Sequence, residues 1–142
     1  MKEATLDIEL FGADTVKINI KTTSFNEVLK NADFITLHVP KGKIIGTKEF
    51  EIMKKGVGIV NAARGGVVDE LELINALNSG KVAYASIDVF ENEPTPKKEL
   101  LVHPKISLTP HIGASTKEAQ ERIGIELAQK VIEFFKKNLV TA

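Results

Sequence analysis

The 142 residues are 43% hydrophobic and 27% charged, enough to bury one core, and nineteen Lys plus Arg balance nineteen Asp plus Glu, so no net field favours nucleic acid or an anionic membrane. The lack of cysteine excludes disulfides, thiolate zinc sites and thiol catalysis, and it agrees with a reducing, cytoplasmic setting. The apolar runs are too short for a membrane span, and Met1-Lys2-Glu3 leads into no signal-type core, so the expectation is one domain over residues 1–142 that binds no metal and acts on small molecules or proteins.

Leu6, Ile8 and Leu10 alternate with polar residues, as do Val16, Ile18 and Ile20, with Gly12-Ala13-Asp14 between them; residues 1–23 therefore read as a hairpin or two short strands. Ser24 followed by Glu27 then opens a helix, because a short polar side chain accepts a backbone N–H and a Glu three later reaches back. Residues 34–39 form a strand candidate closed by Pro40, and residues 58–61 a second. Asp69 with Glu72 starts another helix, and Gly80 is its left-handed stop, since only glycine takes that conformation without a Cβ penalty. Residues 82–90 and 106–109 are the third and fourth strand candidates, the last stopped by Pro110, and between them lies a loop with Pro94 and Pro96. Ser115 with Glu118 opens a final helix over residues 116–137, extending to about 140. It carries Ala119, Ile123, Leu127, Val131 and Phe135 every four residues, widened by Ala128 and Ile132, and should bury that face. Strands alternating with helices across residues 24–115 are βα units, and βα units make a parallel sheet.

Three residues carry the chemistry. Arg64 sits in Asn61-Ala62-Ala63-Arg64-Gly65-Gly66, Glu93 in Phe90-Glu91-Asn92-Glu93-Pro94, and His111 in Thr109-Pro110-His111-Ile112-Gly113-Ala114. Singly, Arg64 reads as a surface loop arginine and Glu93 as a solvated turn residue. Together, and in order, each falls at the C-terminal end of a strand candidate, where open α/β sheets bind ligands. Asp88 in an apolar strand is costly unless hydrogen-bonded, so it is either a ligand contact or a buried cap. His38 reads as a packed or surface histidine and His103, before Pro104, as solvent-facing. A phosphate-binding opening of strand, Gly-rich turn and helix does not occur in the 142 residues; the nearest match, Gly56-Val57-Gly58-Ile59-Val60-Asn61, places Asn61 where a third glycine belongs.

Over residues 24–140 the chain resembles the D-2-hydroxyacid dehydrogenase family. The likeness rests on Asn31 through Pro40, on Ala63-Arg64-Gly65-Gly66 continuing through Val67-Val68-Asp69-Glu70, on Ile87-Asp88-Val89-Phe90, and on Thr109-Pro110-His111-Ile112-Gly113-Ala114-Ser115-Thr116. It implies NAD-dependent oxidation of a small 2-hydroxy acid, and the Ala114-Ser115-Thr116 ending points within the family to 3-phosphoglycerate. It also implies that Arg64 binds the substrate carboxylate and keto oxygen, a task suited to the planar guanidinium fork. His111 would exchange the proton, and Glu93, rather than Glu91, would bond the histidine and favour its imidazolium form. The implied NAD contacts are Ala62, Ala63, Arg64, Asp88 and the His111-Ile112-Gly113-Ala114 segment, with Val39 and Pro40 beside the adenosine half.

The same resemblance shows departures. Nothing in the chain matches the family's substrate domain, phosphate loop or ribose-binding acidic residue, residues 41–46 are shorter than the family's loop, and residues 1–23 match nothing beyond a third strand near 18–21. The expected fold is therefore α/β, a parallel-sheet half-Rossmann: the second mononucleotide-binding half of a doubly wound fold with a long C-terminal helix. Such a chain alone is expected to be inactive. The alternatives are a half enzyme completed by a partner chain and a non-catalytic binding module. The strand at 34–39 would present an open edge, which predicts a homodimer joined through that edge or exchanging the hairpin or last helix.

Overall fold

A computed structural model describes residues 3–8, 15–40 and 42–139. Strand β1 (Glu3–Ile8) pairs antiparallel with β2 (Val16–Lys21) in a two-stranded sheet of its own, with Leu6 opposite Ile18. The alternation of apolar residues produced these strands as expected; Leu10 and the turn assigned to Gly12-Ala13-Asp14 lie outside the described residues. A Lys21–Glu3 ion pair at 3.1 Å and a Thr5–Asn19 hydrogen bond at 3.1 Å join the strands. Leu6, Val16, Ile18 and Ile20 remain exposed.

Ser24 caps α1 (Phe25–Asn31) by accepting from the Glu27 N–H at 3.2 Å, while the Glu27 carboxylate takes the Asn31 amide at 3.1 Å. Next comes β3 (Phe34–Leu37), two residues shorter than the candidate strand. The sequence reading missed α2 (Thr47–Ile52), whose cap is a glycine: Glu49 reaches back to the Gly46 N–H at 2.9 Å, and Phe50 is buried. Then follow β4 (Val57–Asn61) and α3 (Glu70–Asn78), whose cap Asp69 accepts from Glu72 N–H at 3.0 Å. Gly80 ends α3 at φ +73°, as glycine there should. Strand β5 (Val82–Ile87) leads to the short α4 (Lys98–Leu101), and β6 (Ile106–Leu108) to α5 (Lys117–Leu139). Candidate strand 82–90 stops at Ile87 because Asp88 begins a loop held by side-chain hydrogen bonds.

The four later strands form one parallel sheet in the order β3-β4-β5-β6. Register aligns Ile35 with Ile59, Ala85 and Ile106, and side chains at these positions join Leu29, Phe50, Leu73 and Leu77 in the core. Each such large aliphatic or aromatic side chain contributes about 1.5–3 kcal/mol by burial. The intervening register, Phe34 beside Gly58 beside Tyr84, leaves Phe34 78% and Tyr84 69% exposed. All four strands point their C-terminal ends the same way, and there the candidate residues gather.

Helix α5 departs from expectation. Its capping hydroxyl is Thr116, which accepts from Ala119 N–H at 3.1 Å, one residue beyond Ser115. Its apolar stripe is not buried: Ile123, Leu127, Val131, Ile132 and Phe135 are 46–61% exposed. The periodicity specified an amphipathic helix correctly, but the surface that would cover it is not supplied by the described residues. Among those residues no helix is long and apolar enough to cross a membrane.

Candidate active site

Three loops, leaving β4, β5 and β6, build the site. At the end of β4 the Asn61 side chain is 3% exposed and holds the turn that follows: its carbonyl accepts from Ala63 N–H at 3.2 Å and its amide donates to Arg64 C=O at 3.2 Å. Ala63 points into the core while Ala62 and Arg64 are exposed. The Arg64 guanidinium donates to Ala63 C=O at 2.7 Å. Gly65 then passes so near the second loop that a Cβ would lie 1.8 Å from Phe90 C=O oxygen.

Asp88, 7% exposed at the end of β5, ties the third loop down. One carboxylate oxygen accepts from Ile112 N–H at 2.9 Å and from the Thr109 hydroxyl, and the other accepts from Gly113 N–H at 2.8 Å. Burial pushes this carboxyl up, but the Thr109 hydroxyl and the two N–H groups outweigh it and hold the group below its ordinary range. Of the two roles open to Asp88, the geometry is that of a buried cap. What it caps is unusual backbone: His111 has φ +56°, a left-handed conformation that costs a residue with a Cβ about 1–2 kcal/mol. Three hydrogen bonds to a charged acceptor offset that. A Cβ on Gly113 would fall 2.8 Å from the Asp88 carboxylate and 4.0 Å from the Ala62 Cβ, so the β4 and β6 loops meet at small residues.

Glu93 joins the second loop to the third. It accepts from Phe90 N–H at 2.9 Å through one oxygen, and the other stands 2.8 Å from His111 Nδ1. The bond to His111, then the Phe90 N–H, hold the Glu93 carboxyl below its ordinary range. With Nδ1 engaged, Nε2 is the ring atom left for proton exchange. The Glu91 carboxylate is paired with Lys97 rather than with His111.

Arg64, Glu93 and His111 line one open cleft of about 550 Å³, with Pro40, Gly65 and Phe90 among the walls. An apolar cleft of about 390 Å³ adjoins it across Glu93 and His111, walled by Leu101, Leu108 and Pro110. Ile112 is exposed, and Ala114, also exposed, accepts at its C=O from Gln120 at 3.4 Å. Val39 is half-buried and lines a separate groove with His38, so Val39 and Pro40 do not face the same space. His38 is exposed and bonds Thr36 at 2.9 Å. His103 is half-buried rather than solvent-facing, because Asn78, at 3.3 Å, and the Lys105 N–H, at 3.2 Å, both engage its ring. Sequence reasoning missed Asn61 as an organiser of the Arg64 turn. It also missed the bonding of Glu70 and Lys97 to the Glu93 loop; an acidic residue at the first turn of a helix is too common to announce it.

Comparison with known proteins places these features. Residues 5–113 match the family described as D-isomer specific 2-hydroxyacid dehydrogenase, NAD binding domain, so the match includes most of the hairpin region that sequence reading left without a counterpart. The chain is 44% identical over 124 residues to the D-3-phosphoglycerate dehydrogenase of Bacillus subtilis, covering 84% of this chain and 24% of that protein. Among solved structures, a glyoxylate reductase from Paecilomyes thermophila superposes with a TM-score of 0.68 at 45% identity, over 72% of this chain and 33% of that one. The NAD complexed form of a D-isomer specific 2-hydroxyacid dehydrogenase from Lactobacillus delbrueckii ssp. bulgaricus gives a TM-score of 0.62 at 32% identity, over 68% and 35%. The chain thus spans about a quarter of the length of the B. subtilis relative and a third of these structures. On the family match, and on an α/β sheet of the same architecture, the chain belongs to the D-isomer specific 2-hydroxyacid dehydrogenases, within their NAD-binding domain.

Proposed function

We propose that these 142 residues form a single unit, the catalytic half of the cofactor domain of a cytoplasmic NAD-dependent dehydrogenase acting on a D-2-hydroxy acid, with 3-phosphoglycerate as the substrate. The observation that carries this reading is the convergence of Arg64, Glu93 and His111 on one cleft, with Glu93 2.8 Å from the histidine. Relatives named D-3-phosphoglycerate dehydrogenase support the choice of substrate.

The residues present fit the nicotinamide end of the cofactor. Ala62, Gly113 and Ala114 offer small side chains and backbone beside His111 and Ile112, and position 113 has no room for a Cβ, while the expected contact at Ala63 is made at most by its backbone, because its side chain is buried in the core. A flat ring needs such a surface. Bound there, the dinucleotide would supply the hydride acceptor for alcohol oxidation. Asp88 contributes by fixing the N–H groups of Ile112 and Gly113, and Pro40 borders the cleft beside Arg64. Arg64 would clamp the substrate carboxylate and the oxygen at C2, fixing which face of C2 is offered. His111 Nε2 would take the hydroxyl proton, and the carboxylate of Glu93 on Nδ1 would stabilise the imidazolium so formed and hold the ring in place.

The isolated chain should turn over poorly or not at all. Holding reactants in position supplies up to about 7–11 kcal/mol of barrier reduction, and these residues hold only one end of the dinucleotide. Self-association belongs to the same reading: β3 has a neighbouring strand on one side only among the described residues, and its free edge can pair with that of a second copy. A monodisperse monomer in light scattering across a wide concentration range would overturn that part. The cofactor assignment is tested by calorimetric titration with NADH. Saturable heat that disappears in Gly113→Val supports a nicotinamide site, and no heat at millimolar NADH removes it. A partner chain that supplies the rest of a dinucleotide site and lies along the β3 edge is the second reading; NADH production on mixing with the N-terminal part of a relative would favour it.

A further inference from the structure

Glu91 and Glu93 lie two residues apart and line the same cleft as His111, yet only Glu93 bonds the histidine. Glu91 is occupied elsewhere. Its N–H donates to the Glu70 carboxylate at 2.7 Å, and its own carboxylate receives the Glu70 N–H at 3.5 Å and the Lys97 ammonium. Lys97 also donates to Glu70 at 2.8 Å. Glu70 is 5% exposed, on the first turn of α3, in the segment that directly follows the Arg64 turn. The loop that carries Glu93 is therefore tied to α3 at both ends, through Glu91 before it and Lys97 after it.

We propose that Lys97 and Glu70 are positioning residues for the Glu93–His111 pair: they engage the Glu91 carboxylate at the cleft wall, so that Glu93 alone partners the histidine, and they anchor the Glu93 loop to the helix that follows Arg64. This rests on the reading of Glu93 and His111 as a working pair. Three observations carry it. The ammonium of Lys97 sits between the Glu70 and Glu91 carboxylates and draws that of Glu91 toward α3 rather than toward His111. Glu70 and Glu91 exchange main-chain N–H bonds, so the loop cannot slide along α3 without breaking both. Gly65 lies against the Phe90–Glu91 peptide, so displacement of this loop also meets the Arg64 turn. The charged groups around the pair are Asp88, which opposes ionisation of Glu93, Arg64 on the cleft wall, and Glu91 itself. With Lys97 neutralised, Glu91 is the one freed to compete.

The experiment follows the Glu93 carboxyl by carbon-detected NMR through a pH titration of the whole 142-residue chain. Wild type should titrate below the ordinary 4.5, because His111 and Phe90 N–H stabilise the carboxylate. Lys97→Met should move the midpoint up toward that value, Lys97→Arg should restore it, and Glu91→Gln combined with Lys97→Met should recover most of the shift by removing the competitor. Because the two charges shift the Glu93 midpoint in these directions by themselves, the His111 Nδ1–H signal is followed as well: it should weaken in Lys97→Met and return in the double variant, whereas a change of charge alone would leave that hydrogen bond in place. If Lys97→Met loses its amide dispersion, Lys97→Gln, which keeps most of the stem, must show the same upward move. A folded Lys97 variant with the wild-type Glu93 midpoint overturns the proposal while the pair stands, provided His111→Asn raises that midpoint. If His111→Asn leaves it unchanged, the pair itself is wrong.

Discussion

Asp88→Asn removes a single charge and one acceptor from the buried carboxylate that holds the His111 loop. Whichever way the new amide turns, one of its two ends is an NH₂ facing a donor: Gly113 N–H, now 2.8 Å from a carboxylate oxygen, or Ile112 N–H at 2.9 Å. A hydrogen bond to a charged group contributes about 1.5–3 kcal/mol, and leaving a buried donor unsatisfied costs about 1–3 kcal/mol, so a loss of about 2–4 kcal/mol is expected after partial relaxation. For a chain of this size each kcal/mol lowers the melting temperature by about 2–4 °C, which gives a drop of about 4–16 °C. The assay is thermal unfolding by circular dichroism at several pH values. The folded-state carboxyl titrates below its ordinary 3.8, so its contribution is fully present above that value and is lost as pH falls through the folded value. The gap between wild type and variant should therefore be constant from pH 7 to about pH 4 and narrow only below that. Equal melting temperatures at pH 7, or a gap that closes while pH rises, would refute the account of Asp88 as the ionised cap of the loop.

Gly65→Ala places a methyl 1.8 Å from the Phe90 oxygen and 2.9 Å from Glu91 N, backbone atoms that cannot swing aside; a loss of at least about 1–3 kcal/mol in urea unfolding is expected, and a variant as stable as wild type would show that the loops are not in contact. Gly56→Ala is the control, with open space around it but φ +83°, so only about 1 kcal/mol of backbone strain should appear. Deleting residues 117–142 should leave the melting temperature of the sheet and its helices within about 2 °C, since the α5 stripe is exposed; a large drop would mean that α5 packs on the chain in solution.

The parallel sheet was legible because its strands carry apolar runs, two of them closed by Pro40 and Pro110, and because capping side chains at Ser24 and Asp69 are local chemistry that needs no tertiary information; the end of β5 before Asp88 was not. Helix α2 was not legible, since a glycine cap and a six-residue span leave too few periodic positions to count. Burial of the α5 stripe could not be read either: periodicity tells which residues share a face and says nothing about what stands opposite. At the site, Arg64, Glu93 and His111 stood out through their neighbours in sequence. Asn61, Glu70 and Lys97 did not, because their partners are 2–27 residues away and the bonds arise only when the loops close. The left-handed backbone at His111 was hidden for a similar reason, being imposed by Asp88 from another strand.

The ring of Phe34 lies where a side chain at position 58 would otherwise stand, 2.5 Å from the Cβ that Gly58 lacks. Two neighbouring strands thus share one side-chain volume, owned by the edge strand and lent to the interior one. The two positions are not separate choices: an enlargement at 58 requires the exposed Phe34 ring to turn away or a smaller residue to replace it. Since β4 runs straight from this shared volume to Asn61 and the Arg64 turn, the size of a side chain on the outermost strand becomes a constraint on the strand that delivers the site's cation.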